Sequence, residues 1–578
     1  MSHPAQISTY IKEQQRMALA GVRGHQPDKA LLSFYASMEH LCSVAGFLLN
    51  HINLSAIITA TAQLWTSAQA NSSFKLSSNS AAIELEPFHR SILLQLKPML
   101  PDVGARQVSN ILWSSAKLEL HPDASVPGMT DALAAKVLQL TDASAAKLTK
   151  EDIRCQPNAQ ECSNFLWALA TLGHELADQS LTNAVWDHFV LLIKHRDESK
   201  QPNAQEAANF LWALATLGHE PADQSLTDAV CDHFAVLTRH HDDSKRPNAQ
   251  GAANVMWALA TLGHEPTDKG LVDVVCNHFV TMIGHHDARK QPTSQGAANV
   301  LWGLATLGHY PADNGLVDAV CDHFVMLIRH HDAQKRPILQ EMSNVMWALA
   351  ELNHTPPDEA ASANLEWLTR LFQLPGQEPN AQNLSNTLFA CAVLRPPVKG
   401  HVGTTLVDGL LSLDPSVVDK QAYCNAAWSL AVLDMLSVEI FSSLLERLQS
   451  LLVAELAHHF LTRQGLLQLY RALDFLQPLP TVATQQMRQM LTRLGPRPLL
   501  NERSAAELSA SKHLCAALGQ LGLAFTANVP LSGYWADAAL QPQNDSAAPL
   551  VLATEAYDHI RNRNKRCVKH FVLRLYWP

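Results

Sequence analysis

The chain has 578 residues, 47% of them hydrophobic and only 17% charged, a composition that excludes a disordered protein and, at this length, a single hydrophobic core. No run of about 18 consecutive apolar residues occurs, so no conventional membrane span is expected. Ten cysteines without a CxxC or CxxxC pair argue against a disulfide scaffold or zinc ribbon, and the net charge of −10 counts against a phosphate polymer as partner.

In chain order, the opening MSHPAQISTYIKEQQRMALAGVRGH has no apolar signal core, and Glu13 among its few bases makes it a poor organellar presequence. The region 1–100 reads as helical with worn repeats, one loose unit standing around Trp65. A degenerate unit at 101–156 places Trp113 in RQVSNILWSSAKL. Regular repeats fill 157–378. Their tryptophans, Trp167, Trp212, Trp257, Trp302 and Trp347, are spaced by 45 residues, each with a proline ten residues earlier (Pro157, Pro202, Pro247, Pro292, Pro337). A fixed period in this range marks a solenoid. Worn copies continue through 379–500, with Phe389 and Trp428 in the tryptophan slot and LLQLYRALDFLQPL at 466–479 as a last trace. The region 501–578 has a different character.

Each regular unit contains two helical patterns. In the second unit Ala207, Leu211, Leu214 and Leu217 form one apolar stripe, with Pro202 in the first turn and Gly218 as C-terminal cap. The second helix starts near Asp223 and Ser225 and carries Leu226, Val230, Phe234 and Leu237. Neither helix can bury its apolar face alone, so the pairs must stack. The expected fold is an all-α superhelical solenoid of tandem helix pairs.

Residues that recur separate architecture from use. An asparagine three residues before the tryptophan recurs as Asn110, Asn164, Asn209, Asn254, Asn299, Asn344, Asn386 and Asn425. It reads as a group satisfying backbone atoms across the repeat junction, the other reading being a uniform ligand contact. The tryptophans read as apolar core plugs, the other reading being base stacking.

Nine, six and two residues before the tryptophan the units differ: Asn158, Glu161, Phe165; Asn203, Glu206, Phe210; Asn248, Gly251, Val255; Thr293, Gly296, Val300; Ile338, Glu341, Val345. Spacings of three and four place these on one helix face. That is the pattern of a modular nucleic-acid reader, and neutral drift on a solvent face gives the same pattern.

Histidines crowd 157–336, but they recur at the repeat period near helix ends, with no HExxH and no Cys/His ligand spacing. They read as helix-terminal groups facing the dipole, and no metal or cofactor is expected. Cys231, Cys276 and Cys321 share a slot with Trp186, which reads as packing. The segment 157–336 carries 12 Lys+Arg and 21 Asp+Glu, most of the acidic excess.

The phrase LWALATLG, preceded by proline and asparagine in PNAQEAANFLWALATLG, resembles the repeat of the octatricopeptide repeat proteins of green algae and their relatives. The resemblance covers 157–347 clearly and 106–130 and 379–435 in worn form. The 45-residue period is longer than that family's usual 38–40. The resemblance implies an α-solenoid that binds single-stranded RNA, an organellar transcript, in the chloroplast or else the mitochondrion. It implies work in RNA processing, stabilisation or translation, with protein partners in an RNA-processing complex.

From 505 the chain reads as an amphipathic helix, a glycine turn, the strand-like segments FTANV, YWADAAL and LVLATEAY, and a basic end. Leu514, Leu518, Gly519, Gly533, Tyr534, Asp537 and Glu555 resemble the RAP domain that often closes such proteins, which implies a small α/β restriction-endonuclease-like fold. Metal-dependent hydrolysis would use Asp537 and Glu555 as carboxylates, but the lysine two residues after Glu555 is replaced by Tyr557, with Lys565 and Lys569 as remote substitutes. Catalysis is therefore not expected. Arg561, Arg563, Lys565, Arg566, Lys569 and Arg574 put six positive charges in the last 20 residues with no acid, a patch suited to a phosphate backbone. Three functions compete: an organellar RNA-binding factor, a protein-interaction solenoid without RNA, and an RNA endonuclease acting through the C-terminal region.

Overall fold

The computed structural model describes residues 4–24, 26–45, 48–71, 80–141, 156–176, 179–219, 224–268, 270–309, 315–372, 374, 376–394, 400–415, 418–454, 465, 468–469, 472–473, 489–491, 525–530, 535–540, 550–556 and 571–576. The chain divides into two compact units, Met1–Met282 and Ile283–Pro578.

The first unit contains α1 (Pro4–Val22), α2 (Pro27–Ala45), α3 (His51–Gln69), α4 (Ser80–Leu96), α5 (Ala105–Lys117), the short α6 (Pro122–Ser125), α7 (Met129–Thr141), α8 (Ala159–Leu172), α9 (Ser180–Ile193), α10 (Ala204–Thr216), α11 (Gln224–Thr238), α12 (Ala249–Leu262) and α13 (Gly270–Ile283). The second contains α14 (Ser294–Leu307), α15 (Gly315–Ile328), α16 (Leu339–Glu351), α17 (Asp358–Leu371), α18 (Ala381–Leu394), α19 (Gly400–Ser412), α20 (Lys420–Val432) and α21 (Val438–Ala454). Four strands follow: β1 (Phe525–Pro530), β2 (Trp535–Leu540), β3 (Leu550–Ala556) and β4 (Phe571–Tyr576).

Local chemistry fixes each helix pair. Pro202 stands one residue before the helix cap, not in its first turn. Asn203 is the cap, and its Oδ1 accepts the Glu206 amide at 3.0 Å while Glu206 Oε2 accepts the Asn203 amide at 2.9 Å, a reciprocal pair that satisfies two orphan donors. At the other end Gly173, Gly218, Gly263 and Gly308 have φ between 60° and 64°, a left-handed conformation that suits glycine and closes the helix. The second helix is held to the first by a histidine. His188, His233 and His278 donate from Nε2 to the carbonyls of Pro157, Pro202 and Pro247 at 2.6, 2.7 and 2.7 Å. In the second unit His323 does so to Pro292 at 2.9 Å, and in the next repeat Trp367 Nε1 reaches Pro337 O at 3.0 Å.

Within the first unit α3, α5, α8, α10 and α12 pack on one another in order; within the second, α14, α16, α18 and α20 do the same. These first helices lie closer together than the second helices do, because their contact residues are small: Ala207, Ala208, Ala213 and Ala215 in α10 are all buried. Trp65 in α3 is buried. The slot that holds Trp186, Cys231, Cys276 and Cys321 is core throughout; burial pushes the Cys276 and Cys321 thiols up to about 12. These thiols are packing groups.

The architecture is an all-α solenoid of paired helices. The expected α/β restriction-endonuclease-like domain at 501–578 is corrected: no helix is found among the described residues there, whereas an α/β layer requires helices packed on its sheet. Strands β1 to β4 pair only with their chain neighbours and only antiparallel, in the order β1-β2-β3-β4. Asp537 falls in β2 and Glu555 in β3. The helix expected from 505, and Arg561, Arg563, Lys565, Arg566 and Lys569, lie outside the described residues.

Candidate binding face of the first helices

The positions that vary between units do not form an exposed face. Nine residues before the tryptophan is the helix cap: Asn158, Asn203, Asn248 and Thr293 accept the backbone amide three residues on, at 2.9, 3.0, 2.8 and 3.1 Å. Six before is the third helical residue. Glu161, Glu206 and Glu341 return the bond to the cap amide at 3.1, 2.9 and 2.9 Å. Their half-burial pushes the carboxyls up, partly opposed by that bond. Gly251 and Gly296 stand in the same place and are buried. Two before is core: Phe165, Phe210, Val255, Val300 and Val345 are all buried. Phe210 stacks on Phe189 at 3.9 Å and meets Trp186 edge-on at 5.9 Å, so the phenylalanine-to-valine change belongs with the loss of tryptophan from the neighbouring slot.

A different set shares the open face. In α10, Gln205 and Thr216 are exposed and Asn209 and Trp212 are partly exposed, while the residues between Asn209 and Trp212 are buried. Spacings of four, three and four put the set on one line along the helix. The same line is Gln160, Asn164, Trp167, Thr171 in α8 and Gln250, Asn254, Trp257, Thr261 in α12. In the second unit it is Gln295, Asn299, Trp302, Thr306 in α14 and Gln340, Asn344, Trp347, Glu351 in α16. The core reading of these tryptophans is thereby corrected. Within the first unit three of them form a partly exposed ladder: the Trp167 and Trp212 rings lie 6.5 Å apart and Trp212 and Trp257 6.2 Å apart, tilted by 33° and 35°.

The asparagines are corrected too. Among the described residues, the side chains of Asn164, Asn209, Asn254 and Asn299 make no hydrogen bond, to the repeat junction or elsewhere. Each carries two donors and an acceptor turned toward the open face beside an aromatic edge.

Charge is segregated around this line. At one end of the first unit Arg106 and Lys117 stand in the glutamine and threonine slots of α5, beside Asn110 and Trp113. The Lys117 ammonium lies 4.6 Å from the Trp167 ring centre and 6.0 Å from that of Trp113, a cation–π bridge between rungs. The ladder positions of the four regular units at 157–306 carry no charge at all. The acids lie elsewhere. Asp187, Asp232 and Asp322 are exposed on second helices, and Asp197, Asp242, Asp287 and Asp332 close the inter-unit turns by accepting backbone amides. Arg289 holds the Asp287 carboxyl down at about 2.

The histidines serve these joints. His195, His240, His285 and His330 follow the second helices, and their Nδ1 atoms accept the amides of Asp197, Asp242, Asp287 and Asp332 at 3.0, 2.9, 2.9 and 3.0 Å. They cap the turns that follow the second helices.

Sequence reasoning tracked variation, which led to the cap position, the third helical residue and a core position of each first helix. The signal for the face was present as Gln, Asn, Trp and Thr at helical spacing.

No family model matches the chain, and no curated protein matches it. Among solved structures, an engineered protein from the Northeast Structural Genomics Consortium aligns at 18% identity over 50% of this chain and 98% of its own, with a TM-score of 0.20, too low to carry an argument. What stands is a helical repeat scaffold of the kind that binds macromolecules, protein or RNA, and no helix among its described residues is long and apolar enough to cross a membrane.

Proposed function

We propose that the chain binds single-stranded RNA along the glutamine–asparagine–tryptophan line of its first helices. The observation that carries this reading is the surface tryptophan ladder with its unpartnered asparagines. Every base has a π-face, so aromatic rungs at a regular spacing hold a strand with little regard to sequence, and an adjacent amide supplies both donor and acceptor to a base edge. Much of the acidic charge that argued against RNA lies on the second helices and turns, and the line positions at 157–306 are neutral. Arg106 and Lys117 would take phosphates at its end.

Base preference would come from the caps. Asn158, Asn203 and Asn248 spend Oδ1 on capping and keep their amide donors, Thr293 keeps its hydroxyl proton, and Ile338 offers only an apolar group. The second and third positions of each expected triad are too buried to contribute. The likeness of LWALATLG to octatricopeptide repeats supports the same reading and extends it to an organellar transcript, with the chloroplast first and the mitochondrion second. There the chain would act in RNA processing, stabilisation or translation.

The test is direct binding of the purified chain to a random pool of single-stranded RNA about ten nucleotides long, with selection for sequence. Enrichment of a motif, lost in Trp167→Ala/Trp212→Ala, is expected. Binding weaker than micromolar at low salt would overturn the proposal. A protein partner is the second reading, favoured by Leu191 and Val236, exposed at 58% and 61% on α9 and α11.

A further inference from the structure

At the junction between the worn unit and the first regular one, the repeat pattern is broken by an added histidine. In regular units the histidine seven residues after the tryptophan staples the preceding second helix. His219 meets Thr182 Oγ1 at 3.0 Å and Asn183 Oδ1 at 3.1 Å, and His264 meets Asp228 Oδ1 at 3.0 Å. His174 does the same to Asp131 in α7, with Nε2 3.1 Å from Oδ1. Here alone among the described residues, a second histidine and a second carboxylate close on that staple: the ligand atoms of His121, Asp123 and His174 all lie within 4.8 Å of one another.

We propose that His121, Asp123 and His174 form a site for a divalent transition ion of the zinc class, completed by water. The geometry is arranged for it. Asp131 engages Nε2 of His174, which leaves Nδ1 as the lone-pair nitrogen, 4.0 Å from Asp123 Oδ2. A carboxylate behind a ligating imidazole is the arrangement that orients such ligands and raises their basicity. The Thr130 amide donates to Asp123 Oδ1 at 2.7 Å, so Oδ2 is the oxygen turned to both rings. His121 Nδ1 lies 4.0 Å from the same oxygen, and the two imidazoles are 5.6 Å apart, tilted by 34°. Tetrahedral zinc with nitrogen and oxygen ligands sets donors roughly 3.3–3.5 Å apart, so ligation would draw the two 4.0 Å separations, and the set that lies within 4.8 Å, closer together. His121 Nδ1 also accepts the Asp123 amide at 3.2 Å; ligation through that atom would replace this bond. Two imidazoles and a carboxylate without thiolate suit zinc, cobalt or nickel over magnesium or calcium. The ligands come from two successive repeats, so the ion would clamp the entry to the regular array.

The experiment titrates the chelator-treated full-length chain with Zn²⁺, and with Co²⁺ for its visible absorption. His121→Gln and Asp123→Asn are the test variants, since both leave the His174–Asp131 staple in place. His240→Gln/His241→Gln serves as the control for surface histidines. One equivalent bound below about micromolar, a tetrahedral Co²⁺ spectrum, and at least tenfold weaker binding in both test variants but not in the control are expected. Absence of stoichiometric binding, or binding that only the control abolishes, would overturn the proposal. Neither result bears on RNA, which is measured separately.

Discussion

The tryptophan slot is filled in two ways. In the regular repeats at 157–306 the indole is partly exposed and its asparagine neighbour makes no side-chain hydrogen bond among the described residues; in the worn repeats at 381–432 the same slot is shut. Phe389 and Trp428 are buried and lie 5.7 Å apart, and the polar line is tied up within the chain. Gln421 Nε2 donates to Asn425 Oδ1 at 2.9 Å and to Gln468 Oε1 at 2.8 Å, and Gln468 Nε2 donates to Asn425 Oδ1 at 2.9 Å. The change begins at α16, where Gln340 bonds Asn344 at 3.0 Å and accepts from Asn383 at 2.8 Å. Polar groups that a fold needs for itself find partners in it. Those of Asn164, Asn209, Asn254 and Asn299 are available to something else.

The same substitution in the two slots should therefore do different things. Trp428→Ala removes a buried indole and is expected to cost about 3–5 kcal/mol of stability. Trp212→Ala should cost the fold much less, measured by denaturant midpoint, while weakening RNA binding about tenfold or more, as aromatic stacking contributes about 1–3 kcal/mol per base. Equal destabilisation at both sites would erase the distinction.

The histidine staples sharpen it through pH. Burial holds His188, His233 and His323 below their ordinary 6.5, opposed in part by the proline carbonyls, and holds His89 at about 4. The unfolded chain then binds protons that the folded chain does not. Their contribution is full above about pH 6.5 and is lost as pH falls from there toward the folded values. Denaturant midpoints taken from pH 8 to pH 5 should fall across that window; a flat profile would contradict the neutral staple.

Smaller effects are expected at the caps. Asn203→Ala should destabilise by about 1 kcal/mol. Gly251→Ala should stabilise by about 0.5–1 kcal/mol, since an added Cβ there meets only ordinary contacts, 3.4 Å from Asn248 Oδ1 and 3.6 Å from Ala208 Cβ. Neither change should move the tryptophan rungs, which stand nine residues after Asn203 and six after Gly251.

Much of the fold was legible. The 45-residue period, the proline before each Asn-x-x-Glu box and the glycine after LATL specify a helix pair, because capping and left-handed closure are local. The face was less so. A tryptophan between leucine and alanine, as in Leu211-Trp212-Ala213, looks like core by composition, and only neighbouring helices decide which side of it is open. Variation at Phe165, Phe210 and Val255 looked like readout, yet all three are buried and Phe210 packs against Trp186 and Phe189. Beyond 500 the helix read from 505 lies outside the described residues, and the resemblance there supplied an α/β layer of which the described residues show only the antiparallel strands.

The most direct measurement is equilibrium affinity for single-stranded RNA, compared between the native chain and Trp167→Ala/Trp212→Ala at several salt concentrations. Tight binding is expected for the native chain, falling by about 10–100-fold in the variant with the salt slope unchanged, since neutral rungs release no counterions. Equal affinity in the two proteins, or a loss that appears only as a shallower salt slope, would contradict a ladder that holds bases.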